Sequence, residues 1–154
     1  MKNFKQNPSP PDRTGEEKDP ISKYMATNLI TFAPDSNIME VVNILLEKRI
    51  TGAPVLNAHR EVVGIIDDKT CLKLLVASEY YNSPVSQQTV SQFMDDVMMT
   101  VQEDISIGEA ANIFLETKYK RLIVLDRKGK LVGQISRRDI LRAIRDINSI
   151  QWKR

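Results

Sequence analysis

"GIIDDKTC" (residues 64–71) and "GQISRRDI" (residues 133–140) are one turn written twice, sixty-nine residues apart. The apolar framework is shared, but Asp67 stands where Ser136 stands in the second copy, and Thr70 where Asp139 stands. The correspondence extends well beyond the turn. A shift of 69 positions aligns 21–75 with 90–144 without a gap, and 16 of the 55 pairs are identical, among them Met25/Met94, Thr31/Thr100, Glu47/Glu116, Gly64/Gly133 and Leu72/Leu141. A repeat of this length means two copies of one supersecondary unit, and two copies suggest a closed pair rather than a solenoid.

Each copy opens with an extended stretch, "NLITF" or "VMMTV". A helix follows. Ile38, Val41, Val42, Leu45 and Leu46 recur at helical spacing, as do Ile107, Ala110, Ala111, Phe114 and Leu115. Asn37 with Glu40, and Ser106 with Glu109, supply the N-terminal cap signatures. Two apolar runs around a polar turn come next ("APVL", "NAHR", "EVVGII"; then "LIVL", "DRKG", "KLVGQI") and read as paired strands. A second helix closes each unit, over 68–78 and 137–150. The order strand, helix, strand, strand, helix, repeated, predicts an α/β (α+β) fold of two repeats packed as a pseudo-symmetric pair. The expected organisation is a disordered tail over 1–20, repeat one over 21–78, a linker over 79–89, repeat two over 90–147 and a C-terminal tail over 148–154. The first tail carries four prolines and almost nothing apolar, so it has little to bury against the entropy of ordering.

Composition narrows the function classes. Of 154 residues 42% are hydrophobic and 27% charged, ordinary values for a globular protein, and the formal charge of +2 names no partner. No apolar run approaches the ~20 residues of a membrane span, and the N-terminal stretch holds no apolar segment of a secretory leader. Cys71 is the one cysteine, which rules out an internal disulfide and a cysteine-based metal cage. These features predict a reducing, cytoplasmic setting with no membrane association. His59 falls in a turn with no second histidine to share a metal. Met94, Met98 and Met99 read as core filler, and Cys71 as a small buried hydrophobe. The stretch 137–154 has six Lys/Arg against two Asp, but no wider basic patch accompanies it, so a solvated helix face is expected rather than a nucleic-acid site. A His-based dyad, a metal set and a Gly-rich phosphate loop after a strand are all missing, which argues against an enzyme.

The polar letters of the turn allow two readings. Ser136 and Asp139, three apart at a helix start, form a capping box, and Asp67 is equally competent as an N-cap. The same geometry also suits a ligand. A helix N-terminus attracts a phosphate, Ser136 adds a hydroxyl donor, and Asp139 is an acceptor-only group able to take both hydroxyls of a ribose.

With the repeat, the paired "YM" and "FM" openings, the "GAPVL" and "RLIVL" strands and the G-x-x-[ST]-x-x-D turn of Gly133, Ser136 and Asp139, the chain resembles a tandem pair of cystathionine β-synthase (CBS) domains, a Bateman module, over about 21–147. The resemblance implies a regulatory module, not a catalyst, that binds an adenosine-containing ligand between its repeats. It favours an adenine nucleotide, AMP before ADP or ATP, with S-adenosylmethionine or a purely structural dimer module as alternatives. No cofactor is implied. It matches Asp139 to the ribose acceptor and Ser136 to the hydroxyl near ribose and phosphate, with Arg138 between them in the turn. It matches Thr27, Asn28, Leu29 and Ile30 to the wall of the adenine pocket, and Thr51, Gly52 and Ala53 to the strand edge facing the ligand. Lys120 and Arg121 match positions that often supply phosphate-binding cations, although the histidine common there in some relatives is absent. It implies a flat homodimer and an effector protein that the sequence does not name. In the first turn Thr70 replaces the carboxylate and Asp67 brings a negative charge toward a phosphate, so one live and one weak site are expected.

Overall fold

The computed structural model describes residues 18–76, 84 and 87–152, the last four as backbone only. In repeat one, α1 (Ile38–Lys48) leads into the hairpin of β1 (Gly52–Leu56) and β2 (Val62–Asp67). β2 runs straight into α2 (Asp68–Cys71), and 73–76 add a further helical turn. Repeat two contains β3 (Thr100–Gln102), α3 (Ile107–Glu116), β4 (Arg121–Leu125), β5 (Leu131–Ser136) and α4 (Arg137–Trp152). The mixed helix-and-strand fold of two repeats is the expected one. Two boundaries differ. The helix expected over 68–78 is interrupted at Leu72, and its last two positions lie outside the described residues. The helix expected over 137–150 continues to Trp152, into the segment expected as a tail. The readings of 1–17 and of most of the linker also fall outside the described residues.

Local chemistry sets the helix ends. Ser106 accepts from the Glu109 N–H at 3.1 Å, while the Glu109 carboxylate accepts from the Ser106 N–H at 3.1 Å, a complete capping box. Asn37 caps α1 differently, accepting from the Met39 N–H at 2.8 Å. Arg49 ends α1 in the left-handed region, with φ 54°. The two hairpins are antiparallel with the same register, Val55 opposite Gly64 and Val124 opposite Gly133, and each carries an irregularity one residue later.

The expected first strand forms fully in only one repeat. β3 pairs in parallel with β4, and Ile123 donates to the Met99 carbonyl at 3.0 Å. The counterpart of Ile123 in repeat one is Pro54, which has no N–H to donate. There the stretch "NLITF" keeps a single bridge, Phe32 to Val55, made by Phe32 N–H to Pro54 O at 3.1 Å and Leu56 N–H to Phe32 O at 2.8 Å.

The cores reveal an exchange. Ile21, Tyr24 and Met25, which begin repeat one in sequence, pack with Leu122, Val124, Ile135 and Ile140 of repeat two. Val90, Phe93 and Met94, which begin repeat two, pack with Val41, Val55 and Ile66 of repeat one. Backbone bonds fix both crossings: Ala26 and Gln134 exchange two bonds at 2.9 and 3.0 Å, and Asp95 and Ile65 exchange two at 2.8 Å. The approach is close enough to require glycine on the receiving strands. A Cβ at Gly64 would stand 2.8 Å from Met94 Sδ and 2.9 Å from the Asp95 carbonyl oxygen; at Gly133 it would stand 2.6 Å from Met25 Sδ and 2.9 Å from the Ala26 carbonyl oxygen.

Gly64→Ala and Gly133→Ala should therefore each lower the free energy of unfolding by ~1–3 kcal/mol, the range for overpacking a filled core. Urea titration followed by far-UV circular dichroism measures this.

Candidate functional site

β2 and β5 each deliver a turn to the start of a helix, and both turns are closed capping boxes built with opposite chemistry. In the first, Asp67 Oδ1 accepts from the Thr70 N–H at 2.8 Å, and Thr70 Oγ1 accepts from the Asp67 N–H at 3.1 Å. In the second, Asp139 Oδ2 accepts from both the N–H (2.8 Å) and the hydroxyl (3.1 Å) of Ser136. The other carboxylate oxygen, Oδ1, pairs with Arg142. Asp139 is 6% exposed, an unusually deep position for an aspartate on the first turn of a helix, whereas the Arg142 side chain is 47% exposed. The carboxylate is thus fixed by its own turn on one side and held by a half-exposed arginine on the other.

Arg121 lies between the repeats. It begins β4, and its mate in the duplication is Gly52, which begins β1. A Cβ on Gly52 would overlap Arg121 Nη1 at 1.7 Å, so the glycine makes room for the guanidinium. Arg121 Nη2 donates to Thr51 Oγ1 at 2.9 Å, while Nη1 is buried with no partner among the described residues. Burial pushes the Arg121 pKa down, and the nearby Asp67 and Asp68 carboxylates work against that shift. An unsatisfied donor on a buried cation is costly, and such a group is a natural seat for an anion.

Arg121 and Lys120 line a cavity of about 740 Å³ whose opposite wall is Asp67, Thr70, Lys69 and Lys73. Ile65, Leu72, Val76, Val97 and Tyr119 give it apolar surface, and Lys118 and Asp95 complete it. Lys120 and Arg121 therefore share a cleft with the first turn, not with Ser136 and Asp139. Thr27 and Leu29 line a separate cavity of about 260 Å³ with His59, Arg60 and Lys130 at the hairpin tips. Asn28 and Arg138 are exposed, and Ile30 packs against the first core. Ala53 is buried in that same core, and exposed Thr51 meets Arg121. The residues proposed from sequence thus do not form one pocket.

Repeat correspondence relates the first cleft to the surroundings of the second turn. It carries Ile65, Asp67, Lys69, Thr70, Lys73 and Asp95 of the 740 Å³ cavity onto Gln134, Ser136, Arg138, Asp139, Arg142 and Ala26. Sequence reading missed Lys69, Lys73 and Lys118, although the four-residue spacing of Lys69 and Lys73 on a helix signalled a shared face. It also missed Arg142 and Gln134. The latter is a polar residue in the apolar run "LVGQI", and its Oε1 is buried with no partner.

Among the described residues there is no cluster of three or more His, Cys, Asp or Glu side chains able to hold a metal, and no helix is long and apolar enough to cross a membrane. Burial, with Asp67 and Asp68 close by, raises the Cys71 thiol pKa, which disfavours the nucleophilic thiolate.

Duplicated repeats, exchanged lead segments and clefts between them define a paired-repeat module of the ligand-cleft type. The CBS domain model matches twice, at 21–77 and 90–146, and the chain belongs to the CBS domain family. It is 30% identical over 137 residues to inosine-5'-monophosphate dehydrogenase of Aquifex aeolicus, covering 86% of this chain and 26% of that protein. It is 32% identical over 133 residues to the chloroplastic CBS domain-containing protein CBSX1 of Arabidopsis thaliana, covering 71% of this chain and 56% of the relative. The chain thus spans between about a quarter and just over half of these two relatives. Among solved structures, CBSX2 in complex with AMP superposes with a TM-score of 0.73 at 28% identity, covering 84% of this chain and 98% of that one.

Replacing Arg121 by Met, of similar length and without charge, should leave the ligand-free thermal midpoint unchanged or raise it. Removing a buried charge with an unsatisfied donor relieves its desolvation penalty, which offsets the loss of the Thr51 bond. Differential scanning calorimetry reads the result, and a fall of several degrees would show that Arg121 is a structural tie.

Proposed function

We propose that this chain is a regulatory adenine-nucleotide sensor without catalytic activity of its own, with AMP the favoured ligand and the ribose held by Asp139. The observation that carries this reading is the buried Asp139 carboxylate, whose Oδ1 pairs with a half-exposed arginine. A ribose diol entering this turn takes the place of the Arg142 guanidinium on Oδ1, and Arg142, released, joins Arg138 beside the phosphate. The AMP complex of CBSX2 supports the ligand class. The first cleft lacks a carboxylate at Thr70, so it takes the nucleoside poorly despite its cations. The output in this reading is a changed contact with an effector protein in the cytoplasm.

Calorimetry with AMP, ADP, ATP and S-adenosylmethionine tests the ligand class. Asp139→Ala should weaken nucleotide binding by roughly ten- to a hundredfold, since hydrogen bonds to a charged group contribute ~1.5–3 kcal/mol. Thr70→Ala should change it little. If the turn only caps its helix, Asp139→Ala lowers stability by up to ~1 kcal/mol with no affinity to lose. If Thr70→Ala abolishes binding and Asp139→Ala does not, the nucleotide belongs in the first cleft.

The reading includes a homodimer. Leu46, Leu115, Leu141 and Ile144 are 74%, 83%, 63% and 47% exposed, although Leu46 and Leu115 share the apolar spacing of their helices. A groove of about 380 Å³ between α3 and α4, lined by Ile107, Ala111, Ile140, Ile144 and Ile147, extends the apolar surface. Light scattering at micromolar concentration should give twice the chain mass of 17.6 kDa. A monomer mass would show that another partner covers these helices.

A further inference from the structure

Resting on the nucleotide reading above, we infer that Gln134 reads the base, its side-chain amide pairing with the adenine edge. Gln134 lies on β5 two residues before Ser136, and residues two apart on a strand point to the same face. That face also carries the turn that presents Asp139. The Gln134 backbone exchanges two hydrogen bonds with Ala26, which sets it beside the 27–30 segment. Its mate in the duplication, Ile65, lines the 740 Å³ cleft together with Asp67 and Thr70, so the position belongs to a cleft wall in this fold.

The chemistry of the side chain points the same way. Gln134 Oε1 is buried without a hydrogen-bond partner among the described residues, and the first repeat has an isoleucine at the equivalent place. A strand core does not need an amide here, and leaving its oxygen orphaned costs stability. An adenine edge supplies what the amide lacks. The exocyclic N6 amine donates to Oε1, and ring nitrogen N7 accepts from Nε2, the bidentate pairing that glutamine makes with adenine. Hypoxanthine has a carbonyl oxygen in place of the amine, so its O6/N7 edge offers two acceptors, and the amide can satisfy only one of them in either orientation. Gln134 is therefore a specificity residue: it selects the base, while Asp139 holds the sugar.

The test compares AMP with inosine 5'-monophosphate by calorimetry on the wild type, on Gln134→Ile, which copies the first repeat, and on Gln134→Met, which keeps the length. The wild type should prefer AMP by roughly ten- to a hundredfold, the discrimination of one good bidentate pair. Both variants should lose that preference, with the ligand-free melting temperature equal to or above that of the wild type and binding of inosine 5'-monophosphate little changed. A preference that survives both substitutions, or a wild type that binds the two nucleotides equally, overturns the role of Gln134 and leaves the sensor reading standing. A wild type that binds neither nucleotide at millimolar concentration overturns both.

Discussion

The fold depends on a crossing. The strap that opens each repeat in sequence is packed against the sheet of the other, and each strap is admitted by one glycine. Gly64 receives Met94 and Asp95, and Gly133 receives Met25 and Ala26. Both cores take residues from both straps, Ile21 into the second and Val90 and Phe93 into the first. Each repeat lacks part of its own core until the other is in place, so the two halves form a single cooperative object. The 740 Å³ cleft follows from this closure, since its walls come from the strap that opens repeat two, from β2 and α2 of repeat one and from the start of β4.

Closure also decides where charge collects. The duplication makes Gly52 and Arg121 mates, and the structure stacks one on the other, so only one of the two can carry a large side chain. The choice of arginine in the second repeat places a buried cation beside Asp67 and Asp68 of the first. The first turn, with Asp67 in the cap position, is matched to a cation across the cleft. The second turn, with Asp139 one helical turn further in, is matched to Arg142 on its own helix. Two turns of common origin therefore balance their charge in different ways, one across the repeats and one within a helix.

Much of this was legible in the sequence because the signals were local and written twice. The hairpins, the helix starts at Asn37 and Ser106 and the alternating cores all follow from periodicity and cap chemistry. The exchange of straps was not legible, because no pattern in "YM" or "FM" says which sheet receives it. Nor was the grouping of the site: Lys120 and Arg121 lie near Ser136 and Asp139 in sequence, yet they face Thr70. Leu46 and Leu115 fit the apolar spacing of their helices and are nonetheless exposed, since spacing marks an apolar face but not the partner that covers it. Gln134 was visible as a letter, but its meaning required knowing that the oxygen is buried and unpaired.

Pro54 gives the two cleft walls unequal stiffness. In the second repeat the stretch ahead of α3 is laced to β4 along three residue pairs, and in the first a proline at the matching place leaves the stretch ahead of α1 with one bridge. Residues 27–31 form the less tethered of the two, and Thr27, Leu29 and Thr31 line the 260 Å³ cavity. A stretch with fewer rungs moves at lower energetic cost than a laced one, so the protein has one compliant lead segment and one rigid one. Shape adjustment is then concentrated in the N-terminal segment, whose next element is α1, with Leu46 exposed on its outer face.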